Sequence, residues 1–597
     1  MHEKIIILDF GGQYAHLIAS RIRRENVLAE IFNPEDISVE SLNNPLIKGI
    51  ILSGGPQSVF EKDSPRCDPA IFELGKPVLG ICYGHQFLSH SLGGKVQPGK
   101  IKEYGRASLK HDETCPLFTN IPKESVFWMS HGDEVVTLPK GFQTCGNSEY
   151  CENSAVWHPK KNLFGIQFHP EVTHSKFGSQ LLQNFIEICE VAHDWTIEKF
   201  FKEHETTLRE KIGNKNVFLF VSGGVDSTVA FSFLSKILGE NRVRGLFVNT
   251  GLLRKNEAEF VENALRKMGA DLTVLHEETR FLENLKNVFD PEKKREIIGN
   301  TFLQVQQDFF SKNDLHDDWI LAQGTIYPDT IETGGTKNSA KIKTHHNRVP
   351  EIQKLIDQGL VIEPLAELYK DEVRNLGELL SLPHNLVWRH PFPGPGLGVR
   401  ILCSKEDKTL QDKSFQKQVH SDFIQLPINS VGVQGDARTY RHPAILRKQS
   451  FHIENLEYFA TNLINKNPEI NRALFLLGTK SKEDFKSCKV KKCFVTKDRI
   501  KTLQQADDFV TQSLESMTLY GKVWQFPTVL IPISFNGIGE ESIILRPINS
   551  IDAMSASVGN LPWEFFTKVT AQILTNPKIS AVFLDITSKP PGTIEWE

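Results

Sequence analysis

VLGICYGHQ, residues 78–86, reads as an apolar strand that stops at a cysteine and passes at once into a helical pattern, with Gly80 and Gly84 flanking the turn. Strand, sharp turn and helix make a nucleophile elbow, here with Cys82 where an esterase carries serine. The turn exposes the sulfur, and the helix N-terminus just beyond it favours the thiolate by bringing partial positive charge close. A thiolate attacks an amide carbonyl, but a base has to handle the protons. FHPE supplies one. His169 and Glu171 alternate along a strand end, so both side chains point the same way and Glu171 orients the imidazole. The stretch Ser53-Gly54-Gly55-Pro56 follows the apolar run GIIL. Its backbone N–H groups, with that of Tyr83, suit an oxyanion hole.

Around the elbow, short apolar runs at 5–8, 49–52, 77–81 and 163–168 alternate with amphipathic stretches and read as buried strands of an α/β domain. A charged, helix-like segment at 195–211 closes this block. The next strand, 217–221, runs into SGGVDS at 222–227 and a helical pattern at 228–238. Further strands at 243–248, 272–275 and 319–322 point to an open, doubly wound parallel sheet. RHPFPGPGLGVR, 389–400, is rich in Pro and Gly and opens a third region. Within that region, LPINS followed by AILR echoes IPIS followed by IILR, the mark of a duplicated unit. The reading is three segments, 1–194, 195–390 and 391–597, with an insertion at about 448–540 in the last.

SGGVDS has no Walker lysine and is not read as a kinase loop. Gly223 and Gly224 let the backbone wrap closely around an anion. Ser222 and Ser227 offer hydroxyls, and the helix entered through Val225 and Thr228 points its positive end at the same place. Pyrophosphate fits such a nest. Asp226 would repel phosphate unless a divalent cation stood between them, so Mg²⁺ is the expected cofactor. GTIYPDT, 324–330, follows a strand at its C-terminal end, where open α/β sheets bind ligands, and Asp329 is the expected second metal ligand. Lys343 is placed to neutralise the departing pyrophosphate. Adjacent His345 and His346 point in different directions on most backbones, and Cys488 and Cys493 lack nearby partners, so neither pair is read as a zinc site.

Size and charge restrict the partners. A chain of 597 residues is long enough for several domains, and 69 Lys and Arg against 73 Asp and Glu leave no basic tail for nucleic acid. Nine cysteines without framework spacing suit a reducing cytoplasm, and no run approaches a membrane span.

GICYGHQ, LSGGP and FHPEVTH, in this order and spacing, resemble the class I glutamine amidotransferases over about residues 1–192. The resemblance implies glutamine hydrolysis through a glutamyl thioester on Cys82, with Gly54, Gly55, Tyr83 and Gln86 around the bound glutamine. SGGVDS is similar to the loop of the pyrophosphate-loop ATP enzymes, which adenylate a substrate oxygen, so ATP is implied as co-substrate. SVGVQGDARTY (430–440), RPINSIDAM (546–554) and DITSKPPGTIEWE (585–597), with EKKREIIG and HPFPGPGLG upstream, resemble the GMP synthase family across nearly the whole chain. That resemblance implies XMP as the acceptor, held by Arg295, Asp436, Gln525, Lys589 and Glu595. It also implies a third region of α+β type through which the family's short form makes a homodimer; the insertion bears directly on that assembly.

Overall fold

The computed structural model describes residues 2–597 except 13, 173, 268–270, 313–317, 335–357, 359, 435–436, 448 and 551–555. Asp436 and Lys343 therefore lie outside the described residues. The chain divides into two compact units, Met1–Thr206 with Pro328–Ser339, and Thr207–Tyr327 with Ala340–Glu597. Among the described residues no helix is long and apolar enough to cross a membrane.

The first unit is built on a nine-stranded sheet of β1 (Lys4–Leu8), β2 (Leu28–Phe32), β3 (Ile47–Leu52), β4 (Val78–Ile81), β5 (Lys95–His111), β6 (Glu124–Thr137), β7 (Gln143–Asn147), β8 (Ala155–His158) and β9 (Leu163–Ile166). Strand order is β2-β1-β3-β4-β9-β8-β7-β5-β6. The five strands from β2 to β9 run parallel, and the remainder are antiparallel. Continuous apolar runs such as VLGI suit strands covered on both faces, and Ile6, Leu8, Ile50, Leu52 and Val78 form the core of this unit. The long β5–β6 hairpin was not legible as a pair of strands. Its residues alternate polar and apolar across an antiparallel arm, and its register shifts between Pro98 and Glu103.

In the second unit, β10 (Asn216–Val221), β11 (Val243–Asn249), β12 (Asp271–His276), β13 (Trp319–Ala322) and β14 (Val361–Ile362) form a parallel sheet in the order β12-β11-β10-β13-β14. The order reverses between β10 and β13, at the end where SGGVDS lies, the position open α/β sheets use for ligands. The expected doubly wound sheet is present.

The rest of this unit is built on a mixed seven-stranded sheet with a repeated topology, flanked by a three-stranded and a two-stranded sheet. Strand Phe423–Gln425 pairs antiparallel with Ala437–Leu446, which lies parallel to Ile470–Thr479 after the helix Ile453–Lys466. Strand Thr528–Ile531 pairs antiparallel with Glu541–Leu545, which lies parallel to Ile579–Asp585 after the helix Trp563–Leu574. The two ββαβ units meet where Ile470–Thr479 and Ile579–Asp585 pair antiparallel. The echo of AILR in IILR thus marks equivalent strands. One core runs from Phe218 and Leu246 of the parallel sheet through Leu397 and Ile401 to Ala473, Leu545 and Leu584. The Pro-Gly segment belongs to this unit: residues 396–400 are buried, while 391–395 are half-buried or exposed.

Candidate active sites

The elbow forms as its residues demand. Cys82 has φ 51° between β4 and the helix Tyr83–Ser91, a left-handed conformation that costs a non-glycine residue about 1–3 kcal/mol. A Cβ on Gly84 would stand 2.3 Å from the Leu52 carbonyl oxygen, so only glycine lets the helix start this close to β3. The backbone is held on both sides, Cys82 N–H donating to Ile166 O at 2.8 Å and Gly84 N–H to Ser53 O at 3.1 Å.

His169 Nδ1 lies 2.7 Å from Glu171 Oε1, but a turn and not strand alternation brings them together: β9 ends at Ile166, and Pro170 and Glu171 form the turn. Both are buried, 5% and 1% exposed. Burial opposes charge on the imidazole, but Glu171, then Cys82, push His169 well above its usual 6.5. The backbone that carries the ring is held by the His169 main-chain N–H donating to Trp128 O at 2.9 Å and by the Ser175 hydroxyl donating to the His169 carbonyl at 2.5 Å. A Cβ built on Gly54 would lie 3.1 Å from His169 Cε1 and 3.6 Å from Cys82 Cβ, so Gly54 borders both. Tyr83 turns its side chain away, donating its hydroxyl to Pro65 O at 2.8 Å, which leaves its backbone as the part near the sulfur.

Two neighbours of the sulfur escaped sequence reading. The Cys82 thiol donates to Ser130 O at 3.6 Å, and the Gln167 amide donates to Cys82 Sγ at 3.7 Å. Gln86 is buried; its Nε2 bonds Asp133 O at 2.9 Å and Gln167 Oε1 at 3.2 Å, so it reaches the sulfur through Gln167. Gln167 lies two residues before His169, in the bend just after β9, and that nearness is the signal that could have found it; Ser130 carries none.

At the ATP end, Gly223 has φ +76°, the freedom this loop needs. Ser222 Oγ lies 3.0 Å from Ser227 Oγ and accepts from Gly224 N–H at 3.1 Å, so the hydroxyls brace the loop. Gly224 is the N-cap of the helix Val225–Leu238, with Thr228 N–H donating to Gly224 O. A Cβ on Gly324 would stand 3.0 Å from Ser227 N, which places the loop after β13 directly against SGGVDS. Lys370, overlooked in the sequence, lies 2.6 Å from both carboxylate oxygens of Asp226. Asp226 is a hard oxygen donor at an anion nest and fits Mg²⁺, which takes one or two protein carboxylates and completes its shell with phosphate and water. Asp329 is in the first turn of the helix Tyr327–Gly334. Among the described residues, the one group of three ligand-type side chains close enough to share an ion is Glu103, His131 and Cys151, in the first unit.

The C-terminal tail gathers three of the residues expected at the acceptor site. Glu595 takes a two-pronged bond from Arg400 at 3.0 and 2.8 Å, and Gln525 Nε2 lies 3.4 Å from Glu595 Oε1. Arg295 donates to the Glu597 backbone oxygen, and Lys294 pairs with the Glu597 side chain. Lys589 forms an isolated bridge with Ala556. Deeper in, Asp585 accepts from Arg472 at 2.8 Å and from Trp596 Nε1 at 2.9 Å, and forms an ion pair with Arg546 at 2.8 Å. Arg400 ends the quoted GLGVR, but its partner lies at the far end of the chain.

Three family profiles match in series: glutamine amidotransferase class I over residues 6–189, the phosphoadenosine phosphosulfate reductase domain over 216–393, and the GMP synthase C terminal domain over 512–596. The chain is 45% identical over 611 aligned positions to a protein of Leptospira interrogans named probable GMP synthase (glutamine-hydrolyzing), covering 100% of both chains. It is 37% identical to the GMP synthase (glutamine-hydrolyzing) of Lactobacillus gasseri, covering 100% of this chain and 98% of that one. Against the protein of that name from Thermosipho africanus, identity is 39%, covering 99% of each.

Proposed function

The chain belongs to the glutamine-hydrolysing GMP synthase family, and on that premise we propose that Cys82, His169 and Glu171 release ammonia from glutamine, which an acceptor activated at the Ser222–Ser227 loop then takes up. The observation that carries the first half is the buried 2.7 Å bond from His169 to Glu171 beside a cysteine at φ 51°. Cys82 thiolate attacks the glutamine amide carbonyl, and backbone N–H groups about Gly54, Gly55 and Tyr83 stabilise the oxyanion. His169 Nε2 passes its proton to the leaving nitrogen, ammonia departs, and water hydrolyses the glutamyl thioester to glutamate. Gln86, with Gln167, orients the bound glutamine.

In the second half the C2 oxygen of XMP attacks the α-phosphorus of ATP and pyrophosphate leaves. Ammonia then adds at C2 and AMP departs, giving GMP. Ser222, Gly223, Gly224, Val225, Ser227 and Thr228 form the pyrophosphate cradle, and Lys343 neutralises its charge. Mg²⁺ would be held by Asp226 and Asp329, supplying charge neutralisation of the phosphates. Arg295, Asp436, Gln525, Lys589 and Glu595 hold XMP, with Arg400 fixing Glu595. The division of the chain at 194 and 390 assigns one task to each segment, in the cytoplasm. A homodimer through the third region belongs to the same proposal, although the two ββαβ units already pair within one chain.

The test supplies XMP, Mg-ATP and either glutamine or ammonium. Wild type is expected to make GMP from both, and Cys82→Ala from ammonium alone. GMP made from glutamine by Cys82→Ala removes the role of Cys82; no GMP from wild type under either condition removes the whole assignment.

A further inference from the structure

A buried acid beside the glutamine-hydrolysing centre has no part in that chemistry. Glu103 and His131 are a cross-strand pair of β5 and β6, 7% and 6% exposed. His131 Nε2 lies 3.1 Å from Glu103 Oε2, and Nδ1 lies 3.1 Å from Asp133 O. A carbonyl only accepts, so Nδ1 carries a hydrogen, and a single further proton is shared between Nε2 and Glu103. The Ser148 hydroxyl sits 3.0 and 2.9 Å from the two Glu103 oxygens and accepts from Cys151 N–H at 3.0 Å. Glu103 thereby ties the 148–154 loop to the hairpin. The ligand atoms of Glu103, His131 and Cys151 lie within 4.8 Å of one another. Hydrogen bonds engage both oxygens of Glu103 and both nitrogens of His131, so the group as it stands is a hydrogen-bonded brace.

What it braces is the wall of the nucleophile. Ser130, next to His131, gives its carbonyl to the Cys82 thiol at 3.6 Å. Asp133 O, held by His131, also accepts from Gln86 Nε2 at 2.9 Å, and Gln86 leads through Gln167 to Cys82 Sγ. We propose that Glu103, acting through His131, is a positioning residue for glutamine hydrolysis, holding the 130–133 segment of β6 against Cys82 and Gln86. The proposal rests on Cys82 being the nucleophile. A misplacement of about 1 Å in such a wall costs on the order of a hundredfold in rate.

Glutamate release and ammonium-driven GMP formation read the two halves separately. Glu103→Leu removes the brace; Glu103→Gln keeps it, its amide N–H donating to neutral His131 Nε2 and its oxygen accepting from Ser148. Glu103→Leu is expected to lower kcat/KM for glutamine about a hundredfold, mainly through kcat, while GMP formation from ammonium stays within about twofold. Glu103→Gln is expected to restore kcat/KM to within about threefold of wild type. Unchanged glutamate release in Glu103→Leu, an equal loss with ammonium, or no rescue by Glu103→Gln each overturns the proposal. Should Glu103→Leu fail to fold, Ser148→Ala is read in the same way, with about a tenfold loss expected from one hydrogen bond to a charged group. A wild type that releases glutamate but makes no GMP overturns the acceptor assignment and leaves this brace standing.

Discussion

The 2.7 Å bond between His169 Nδ1 and Glu171 Oε1 decides which nitrogen serves Cys82. A carboxylate accepts, so Nδ1 carries hydrogen and Nε2 is left for the sulfur side. Glu171→Gln is expected to cut glutamate release by about 10⁴-fold, the scale on which a triad's orienting acid acts, with ammonium-driven synthesis untouched. The same change should lower the His169 pKa, because the Glu171 charge is the main influence raising it against burial. A raised folded pKa means stabilisation that is complete below the unfolded value near 6.5 and is lost as pH rises through the folded one. The melting-temperature advantage of wild type over Glu171→Gln should therefore shrink as pH rises; an advantage that grows with pH contradicts the assignment.

Lys370 occupies both oxygens of Asp226 at 2.6 Å. An ammonium that neutralises this carboxylate is equally placed to meet phosphate once a cation takes the aspartate. Lys370→Met is expected to raise the KM for ATP about tenfold to a hundredfold, the range of one hydrogen bond to a charged group, with either nitrogen source. Basal glutamate release should stay at the wild-type rate. ATP titrations at saturating XMP measure the first, and a fall in basal glutamate release would place Lys370 elsewhere in the mechanism.

Asp585 is the shared partner of Arg472, Arg546 and the Trp596 indole, all fully or almost fully buried. Asp585→Ala leaves two buried guanidinium groups facing each other without an anion, which is expected to cost about 3–5 kcal/mol. Urea unfolding of the second unit reads the loss. Because the network anchors the tail carrying Glu595, the KM for XMP should rise as well. Stability within about 1 kcal/mol of wild type would show that the two arginines find other partners.

Features legible in the sequence were those that neighbouring residues build together. Gly84 allows the close approach to Leu52, and FHPE keeps His169 and Glu171 two residues apart, where the turn beyond β9 brings them into contact. SGGVDS encodes its loop in the same way, through Gly223 and the helix that begins at Val225. The duplicated ββαβ units left only a trace, AILR against IILR, because the buried face of a strand specifies apolarity and little else.

What lay beyond sequence reading were partners joined only by folding. Gln167 and Ser130 meet Cys82, Glu103 meets His131 across a hairpin whose register shifts, and Lys370 reaches Asp226 from a helix far along the chain. Glu595 reads as a surface acid until Arg400 grips it from another part of the unit. The sequence by itself marked Cys82, His169 and Glu171 as the proposed triad, the SGGVDS loop as the proposed anion nest, and a parallel α/β frame around each, since each of these readings rests on short-range backbone geometry. Only the tertiary structure decided which buried charges are paired. A pairing is a distance in space, and two residues such as Arg472 and Asp585 acquire it only when the strands that carry them are laid side by side.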